Sequence, residues 1–495
     1  MLLNNEEKGE YLMDIIKEVE HLIEKKRHEL TQISDQIWEY AETRFEEYKS
    51  AQLICDMLEK EEFTLRTHIA NLETGFIGSY GHGYPIIAIL GEYDALTGLS
   101  QRDKCAVADP LKKNGNGHGC GHNLLGVGSL AAALAVKEYL KEKNVPGTVR
   151  YYGCPAEESG YGKTYMVREG FFQDVDVAFS WHPATVNGVM HTSSNAVMQA
   201  TFKFKGRSSH AAASPHLGRS ALDAVELMNI GVNYMREHMI DEARVHYAIT
   251  NSGGISPNVV QAEAEVMYLI RAPKPSQVKE LYERVVKIAK GAALMTETQM
   301  EQQIQGACAN LIPNQTMEQL MHKQMMQINL AEVKQEEIAF AKAIYESTSA
   351  EDKEAAKKQV GSLLDRALAD HPVFNQIAPM SKNVSFMTGS TDVADVSWNV
   401  PTAQCVTATW AYATPFHTWQ AVAQGKTEYA HDAMLLAGKA IAATAIEMIE
   451  NQELISQAKQ ELEDRLEGES YECLVPSHIQ PPNYSESEEE DYRVV

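Results

Sequence analysis

The feature that most limits how this chain can fold is a change of periodicity near residue 195. Before it, short apolar runs that read as buried strands alternate with helical stripes. Pro85-Ile-Ile-Ala-Ile-Leu-Gly91 is followed by a helical pattern over 131–140, then by the runs Gly147-Thr-Val-Arg-Tyr-Tyr-Gly153 and Val175-Asp-Val-Ala-Phe-Ser-Trp181. Residues 10–62 carry apolar positions three and four apart, as in Ile33-Ser-Asp-Gln-Ile-Trp-Glu-Tyr40, and predict helices. Such alternation predicts an open α/β sheet with helices on both faces. After the break, Gln199-Ala-Thr-Phe-Lys-Phe-Lys205 alternates with period two, as a half-exposed antiparallel strand does. A helix striped by Leu222, Val225, Met228, Val232 and Met235 follows, then strands over 245–250 and 262–271 and a helix over 276–289. That order, β-α-β-β-α-β, is ferredoxin-like.

The chain therefore divides into an α/β part at 1–194, an insert at 195–305, and a second α/β part at 306–464 that holds a polar helical stretch at about 315–370. The residues from 465 to 495 are polar, contain proline and end in the acidic run Ser485-Glu-Ser-Glu-Glu-Glu-Asp491, which predicts a mobile tail. At 495 residues, more than one domain is expected. A net charge of −24 repels phosphate and excludes a nucleic-acid partner. Seven scattered cysteines without paired secretory spacing, no basic-then-apolar start and no apolar run near ~20 residues predict a soluble cytoplasmic protein without a membrane partner.

Four groups of chemistry-bearing residues follow predicted strands, where open α/β sheets build their sites. Gly117-His118-Gly119-Cys120-Gly121-His122-Asn123 sets a thiol and an imidazole two apart on a glycine-rich turn, able to reach one metal or to form a flexible loop with a buried cysteine. Glu157-Glu158 can divide labour between metal binding and proton transfer, or be a solvated acidic turn. His182 in Trp181-His-Pro183 and His417 in Thr414-Pro-Phe-His-Thr418 read alone as ordinary histidines, and together with the others as a ligand set. Glu92 and Asp94, in Gly91-Glu-Tyr-Asp-Ala-Leu96, can orient a metal-bound imidazole or cap a loop. The insert adds His210, Asn258 and Arg271, whose groups suit an oxyanion and a substrate carboxylate, although each also has an ordinary structural reading.

Taken together, from about residue 30 to 450, these motifs resemble the aminoacylase, carboxypeptidase G and hippurate hydrolase family of metallopeptidases; Ser214-Pro-His-Leu-Gly-Arg-Ser-Ala-Leu-Asp-Ala224 and Asn251-Ser-Gly-Gly-Ile-Ser-Pro-Asn-Val-Val260 add to the likeness. The resemblance implies a zinc-exopeptidase-like catalytic domain with an open mixed sheet, and a ferredoxin-like lid and dimerisation insert. It implies that Cys120, His122, Glu158, His182 and His417 hold two divalent ions, Mn2+ or Zn2+, and that Glu157 is the general acid/base. His210 would stabilise the oxyanion, reaching a neighbouring subunit's site, while Asn258 and Arg271 would contact the substrate. The implied reaction is water attack on the amide of an N-aroyl or N-acyl amino acid, p-aminobenzoyl-glutamate foremost. N-acyl amino acids or dipeptides, or a supporting role in a hetero-oligomer, are the alternatives. The implied assembly is a homodimer or a heterodimer with a related A-type subunit. Two positions depart from the family: Asn123 stands where the hippurate-hydrolase branch has Asp, and Glu92 where co-catalytic members have a His ligand.

Overall fold

The computed structural model describes residues 5–360 and 362–482. The chain opens with helices α1 (Asn5–Lys25), α2 (Arg27–Tyr40) and α3 (Tyr48–Lys60), followed by strands β1 (Thr64–Thr67), β2 (Phe76–His82) and β3 (Ile86–Glu92). Then come α4 (His122–Lys143), β4 (Gly147–Cys154), α5 (Gly162–Arg168), β5 (Val177–Ala184), and the short β6 (Gly188–Val189) and β7 (Thr192–Ser194). Near the far end of the chain, β12 (Ser385–Met387) and β13 (Thr402–Ala408) flank a short helix, Val393–Ser397.

Seven of these strands form one mixed sheet in the order β1-β2-β4-β3-β5-β13-β6. The β4, β3, β5 and β13 strands run parallel to one another, while β2 and β6 pair antiparallel at the two sides. Every residue of β3 is buried, as expected of a parallel strand covered on both faces. Because the central strands are parallel, their carboxyl ends share one edge, and the chemistry-bearing segments leave from it. β1 and β2 gave no sequence signal: β1 is a largely exposed four-residue edge and β2 carries glycines among its apolar residues.

Over most of its length α4 is buried on every side, because the sheet covers one side and a second long helix, Glu428–Glu450, covers the other. Such a stretch must be apolar all round, and 124–136 is, save for Ser129, whose hydroxyl donates to the Leu90 carbonyl at 2.6 Å. Its approach to the sheet needs glycine, since a Cβ at Gly128 would lie 2.7 Å from the Trp181 ring. An alanine there would overpack the core at a cost of about 1–3 kcal/mol.

The second sheet contains β8 (Ala196–Lys205), β9 (Arg244–Asn251), β10 (Glu263–Ala272) and β11 (Gln299–Cys308), in the antiparallel order β11-β8-β10-β9. Helices α6 (Ala221–Met235) and α7 (Pro275–Thr296) pack on it, completing the predicted ferredoxin-like order. Burial along β10 alternates strictly, so one face meets the helices and the other is open. The polar stretch after β11 forms four short helices, at Gln315–Met325, Gln335–Ser347, Ala350–Val360 and Ser362–Asp370. The first of them buries Met317, Met321 and Met325 in the main core, which its polar composition had hidden.

The residues after the last helix (Gln452–Leu466) depart from the mobile tail expected from composition. Up to residue 482 they pack against the body: Leu474 and Val475 are buried, the Tyr471 hydroxyl donates to Asp395 Oδ1 at 2.6 Å, and Arg168 Nη1 donates to the carbonyls of Pro476 and Ile479. Glu469 and Glu472 pair with Lys274 and Lys279 at the start of α7. A few well-placed apolar side chains and a buried acceptor outweigh average composition here. The acidic run 485–491 lies outside the described residues. Among the described residues, no helix is long and apolar enough to cross a membrane.

Candidate active site

The Gly117–Asn123 turn is shaped by close packing before it is shaped by chemistry. A Cβ at Gly117 would lie 2.3 Å from the Leu99 carbonyl oxygen, and Gly121 has φ 72°, with Pro183 and Trp410 against its open side. These glycines let the chain turn sharply into α4 and leave Cys120 and His122 buried at its entrance. Within the same turn, His118 hydrogen-bonds by Nε2 to the Ile37 carbonyl and belongs to none of the ligand clusters.

Glu157 and Glu158 follow β4 directly. The turn that carries them is fixed by Ala156 at φ 58°, whose N–H donates to Glu47 Oε1 at 2.9 Å, and the Glu158 N–H donates to Asp94 Oδ2 at 3.0 Å. His417, at φ 58°, comes after β13, and its N–H donates to the Gly119 carbonyl at 3.0 Å. Left-handed backbone at non-glycine residues costs of order 1–3 kcal/mol and clusters at functional sites.

Ligating atoms converge as a result. Three overlapping groups lie with their atoms within 4.8 Å of one another: Cys120, His122 and His182; Cys120, Glu158 and His417; and Glu92, His122 and Glu157. Cys120 Sγ is 3.4 Å from His182 Nε2, and Glu158 Oε2 is 3.3 Å from His417 Nε2. The other ring nitrogens are already engaged: His122 Nδ1 with Asp94 Oδ1 at 2.7 Å, and His182 Nδ1 with the Pro183 carbonyl at 2.7 Å. Each interaction holds the proton on Nδ1 and turns the Nε2 lone pair inward.

Two buried atoms at the centre, His122 Nε2 and Glu158 Oε1, have no hydrogen-bond partner. A buried polar atom left unpaired costs about 1–3 kcal/mol. Soft sulfur, imidazole and carboxylate donors with unpartnered atoms are what a divalent ion requires, so the residues fit a metal centre.

The electrostatics agree. Burial pushes the Glu157 carboxyl well above its usual range, and the Glu92, Glu158 and Asp392 charges push it further. Glu158 goes the other way, to about 2: burial opposes ionisation, but the His417 hydrogen bond and the His122 charge outweigh it. Burial also raises the Cys120 thiol and lowers His182. For His122, burial favours the neutral ring, yet Asp94 overrides it and holds the ring well above its ordinary pKa. A bound cation competes with these protons and favours thiolate and neutral imidazole.

His210 is in none of these clusters, and Asn258 and Arg271 belong to the insert with it. His210 and Asn258 are exposed on adjoining loops, joined by the Ala211 N–H to the Asn258 carbonyl at 3.0 Å. The half-buried Arg271, on β10, donates from Nη1 to Ser390 Oγ at 2.9 Å. Sequence reasoning missed Lys163, Asp392 and Glu47, all buried beside the clusters. Lys163 Nζ lies 2.6 Å from both Glu92 Oε1 and Asp392 Oδ1. No local pattern marks Lys163, because its two acidic partners come from distant segments of the chain. Asn123, at a departure from the family pattern, donates to Ser34 Oγ at 3.1 Å and the Gly425 carbonyl at 3.2 Å, tying α4 to α2.

The family model described as Peptidase family M20/M25/M40 matches residues 88–461. The B-type subunit of the p-aminobenzoyl-glutamate hydrolase of Escherichia coli (strain K12) is 47% identical over 477 residues, 95% of this chain and 99% of that protein. The mouse (Mus musculus) Xaa-Arg dipeptidase is 31% identical over 309 residues, 60% of this chain and 67% of its own. In three dimensions, an aminobenzoyl-glutamate utilization protein from Klebsiella pneumoniae superposes with a TM-score of 0.55 at 17% identity, covering 84% of this chain and 98% of that one; at that identity it speaks for the fold alone.

Proposed function

This chain belongs to peptidase family M20/M25/M40 and is a metal-dependent amidohydrolase, and from that premise we propose that it cleaves N-aroyl and N-acyl amino acids, p-aminobenzoyl-glutamate foremost, to the free acid and the amino acid. The observation that carries the proposal is the convergence of three ligand clusters on buried, unpartnered donor atoms in a chain 47% identical to one subunit of an aminobenzoyl-glutamate hydrolase.

In this reading Cys120, His122, Glu158, His182 and His417 hold two divalent ions, Zn2+ or Mn2+. Bound there, such ions supply Lewis acidity that polarises a carbonyl and lowers the pKa of water from about 15.7 toward 7. Glu157 takes the proton of the attacking water and passes it to the leaving nitrogen. Asp94 keeps His122 in the required tautomer. His210 serves as the oxyanion donor. Its Nδ1 accepts from the Ala212 and Ala213 N–H groups at 3.2 and 3.1 Å, so in the neutral ring Nε2 carries the hydrogen and points a donor outward. Asn258, beside it, and Arg271 bind substrate oxygens.

The exposure of His210 supports its delivery to a second protomer's site. That protomer is a second copy or a related A-type chain, consistent with the bacterial relative's being a B-type subunit. Residues 195–305 act as the lid and dimerisation unit, and the protein works in the cytoplasm.

The test is metal-supplemented hydrolysis of p-aminobenzoyl-glutamate by the purified chain, with hippurate and acetyl-amino acids alongside. Release of p-aminobenzoate, lost on chelation, supports the reading. Turnover only with an A-type subunit would make this chain one half of a shared enzyme. No turnover of any conjugate by the metal-loaded chain, alone or with that subunit, would overturn the proposal.

A further inference from the structure

A lysine with no exposed surface is costly to bury, and Lys163 is buried completely among acids. Its Nζ is 2.6 Å from Glu92 Oε1 and 2.6 Å from Asp392 Oδ1, and its backbone N–H donates to Asp392 Oδ2 at 2.8 Å. With one oxygen of Glu92 engaged in this way, the other, Oε2, lies 3.4 Å from the unpartnered His122 Nε2. A tetrahedral ion about 2.1 Å from each of two ligands sets them about 3.4 Å apart. The spacing is that of two ligands on one ion, and it is too long for a hydrogen bond at full strength.

We propose that Lys163 is a positioning residue of the metal centre: by gripping one oxygen of Glu92, it presents the other as a ligand beside His122. The proposal rests on the metal-dependent reading above and adds a sixth ligand and the cation that aims it. Asp392 is the counter-anchor. It fixes Lys163 from the opposite side, so the ammonium cannot follow the Glu92 carboxylate when that group moves. The arrangement also limits local charge, because Lys163 offsets one of the two carboxylates it bridges.

The experiment compares wild-type protein with Lys163→Met and Glu92→Gln. The control, Lys137→Met, removes another buried lysine, paired with Glu61 and Glu138 and remote from the clusters. Each protein is stripped, titrated with Zn2+ and then with Co2+, and followed by metal content, visible absorption and thermal unfolding of the metal-free form. Both site variants should lose affinity for one of two ions by ~10–100-fold, the range typical of supporting contacts at metal sites. Their Co2+ spectra should differ from that of the wild type, because His122 and Glu92 share the altered ion. The control should lose stability and keep both ions. Should Lys163→Met fail to fold, Glu92→Gln decides, since it keeps the Lys163–Asp392 pair. Two ions bound with wild-type affinity and spectrum in a folded variant would overturn the proposal. A wild type that takes up no metal would overturn the reading beneath it as well.

Discussion

Asp94 is the side chain whose replacement tests the geometry most directly. It is buried at the end of β3, and its two oxygens do different work: Oδ1 pairs with His122 Nδ1 at 2.7 Å, and Oδ2 accepts the Glu158 N–H at 3.0 Å. One residue therefore orients two ligands from two separate segments. In Asp94→Asn, a single oxygen remains. If it stays with the imidazole, the amide NH2 faces the Glu158 N–H, two donors meet, and a buried donor is stranded at about 1–3 kcal/mol. The surviving bond also loses the charge assistance that roughly doubles such a contact. The expected cost is a ~10–100-fold weaker ion at the His122 and Glu158 sites, about 1.4–2.7 kcal/mol. The assay is zinc competition against a chromophoric chelator at fixed pH, with unfolding of the metal-free protein measured alongside to separate binding from stability. Metal affinity within twofold of wild type, in a folded Asp94→Asn protein, would refute the claim that Asp94 aims both ligands.

Four further outcomes are expected. Glu157→Gln should bind both ions and lose turnover by ~10²–10⁴-fold, the range for a positioned acid/base; wild-type kcat in that variant would remove Glu157 from proton transfer. Chelation should abolish hydrolysis and lower the unfolding temperature, both restored by Zn2+ or Mn2+, because an ion at 100 times its Kd stabilises the folded state by about 2.7 kcal/mol; a melting point indifferent to chelator would argue against an occupied buried site. His210→Ala should lower kcat with metal content unchanged, as measured by initial rates and elemental analysis, and an unaltered kcat would exclude it as the oxyanion donor. Glu318, hydrogen-bonded to His191, is pushed up to about 7 by burial. A carboxyl raised in the folded state binds more protons there than in the unfolded chain, so its contribution to stability falls as pH rises from about 4.5 to 7, by ~3 kcal/mol at most. Glu318→Gln should therefore gain stability relative to wild type across that interval in metal-free melts; a difference flat with pH would show that Glu318 does not titrate there.

The fold class was readable because both periodicities were strong. The fully buried run of β3, the run of β5 buried at all but His182, and the strict alternation of β10 follow directly from which faces are covered. The candidate ligands were readable because Glu158 and His417 come after parallel strands, His182 lies near the end of another, and Cys120 and His122 sit on a glycine-rich turn before a helix, so four soft signals pointed to one edge. What escaped was whatever depends on a partner far away in the chain. Lys163 beside Glu157-Glu158 reads as a solvated cation until Asp392, more than two hundred residues later, is set against it. Glu47 looks like one acid among several before α3, yet it carries the Ala156 turn. The packed residues after Leu466 escaped for a related reason: Tyr471 finds its acceptor in Asp395, and no local pattern records that.

The strand order carries a consequence for how the chain is made. β13 fills the place between β5 and β6, so β5 has an open edge until residues 402–408 leave the ribosome. At about 5–20 residues per second, the stretch from Ala184 to Ala408 takes roughly 10–45 s to synthesise. Throughout that interval an apolar parallel edge stands unpaired, the kind of surface that recruits other strands. The second sheet, by contrast, is contiguous from β8 to β11 and can close within the same window. The nascent chain therefore carries a finished inner unit ahead of an unfinished outer one, and the last quarter of the gene determines when its most aggregation-prone edge is sealed.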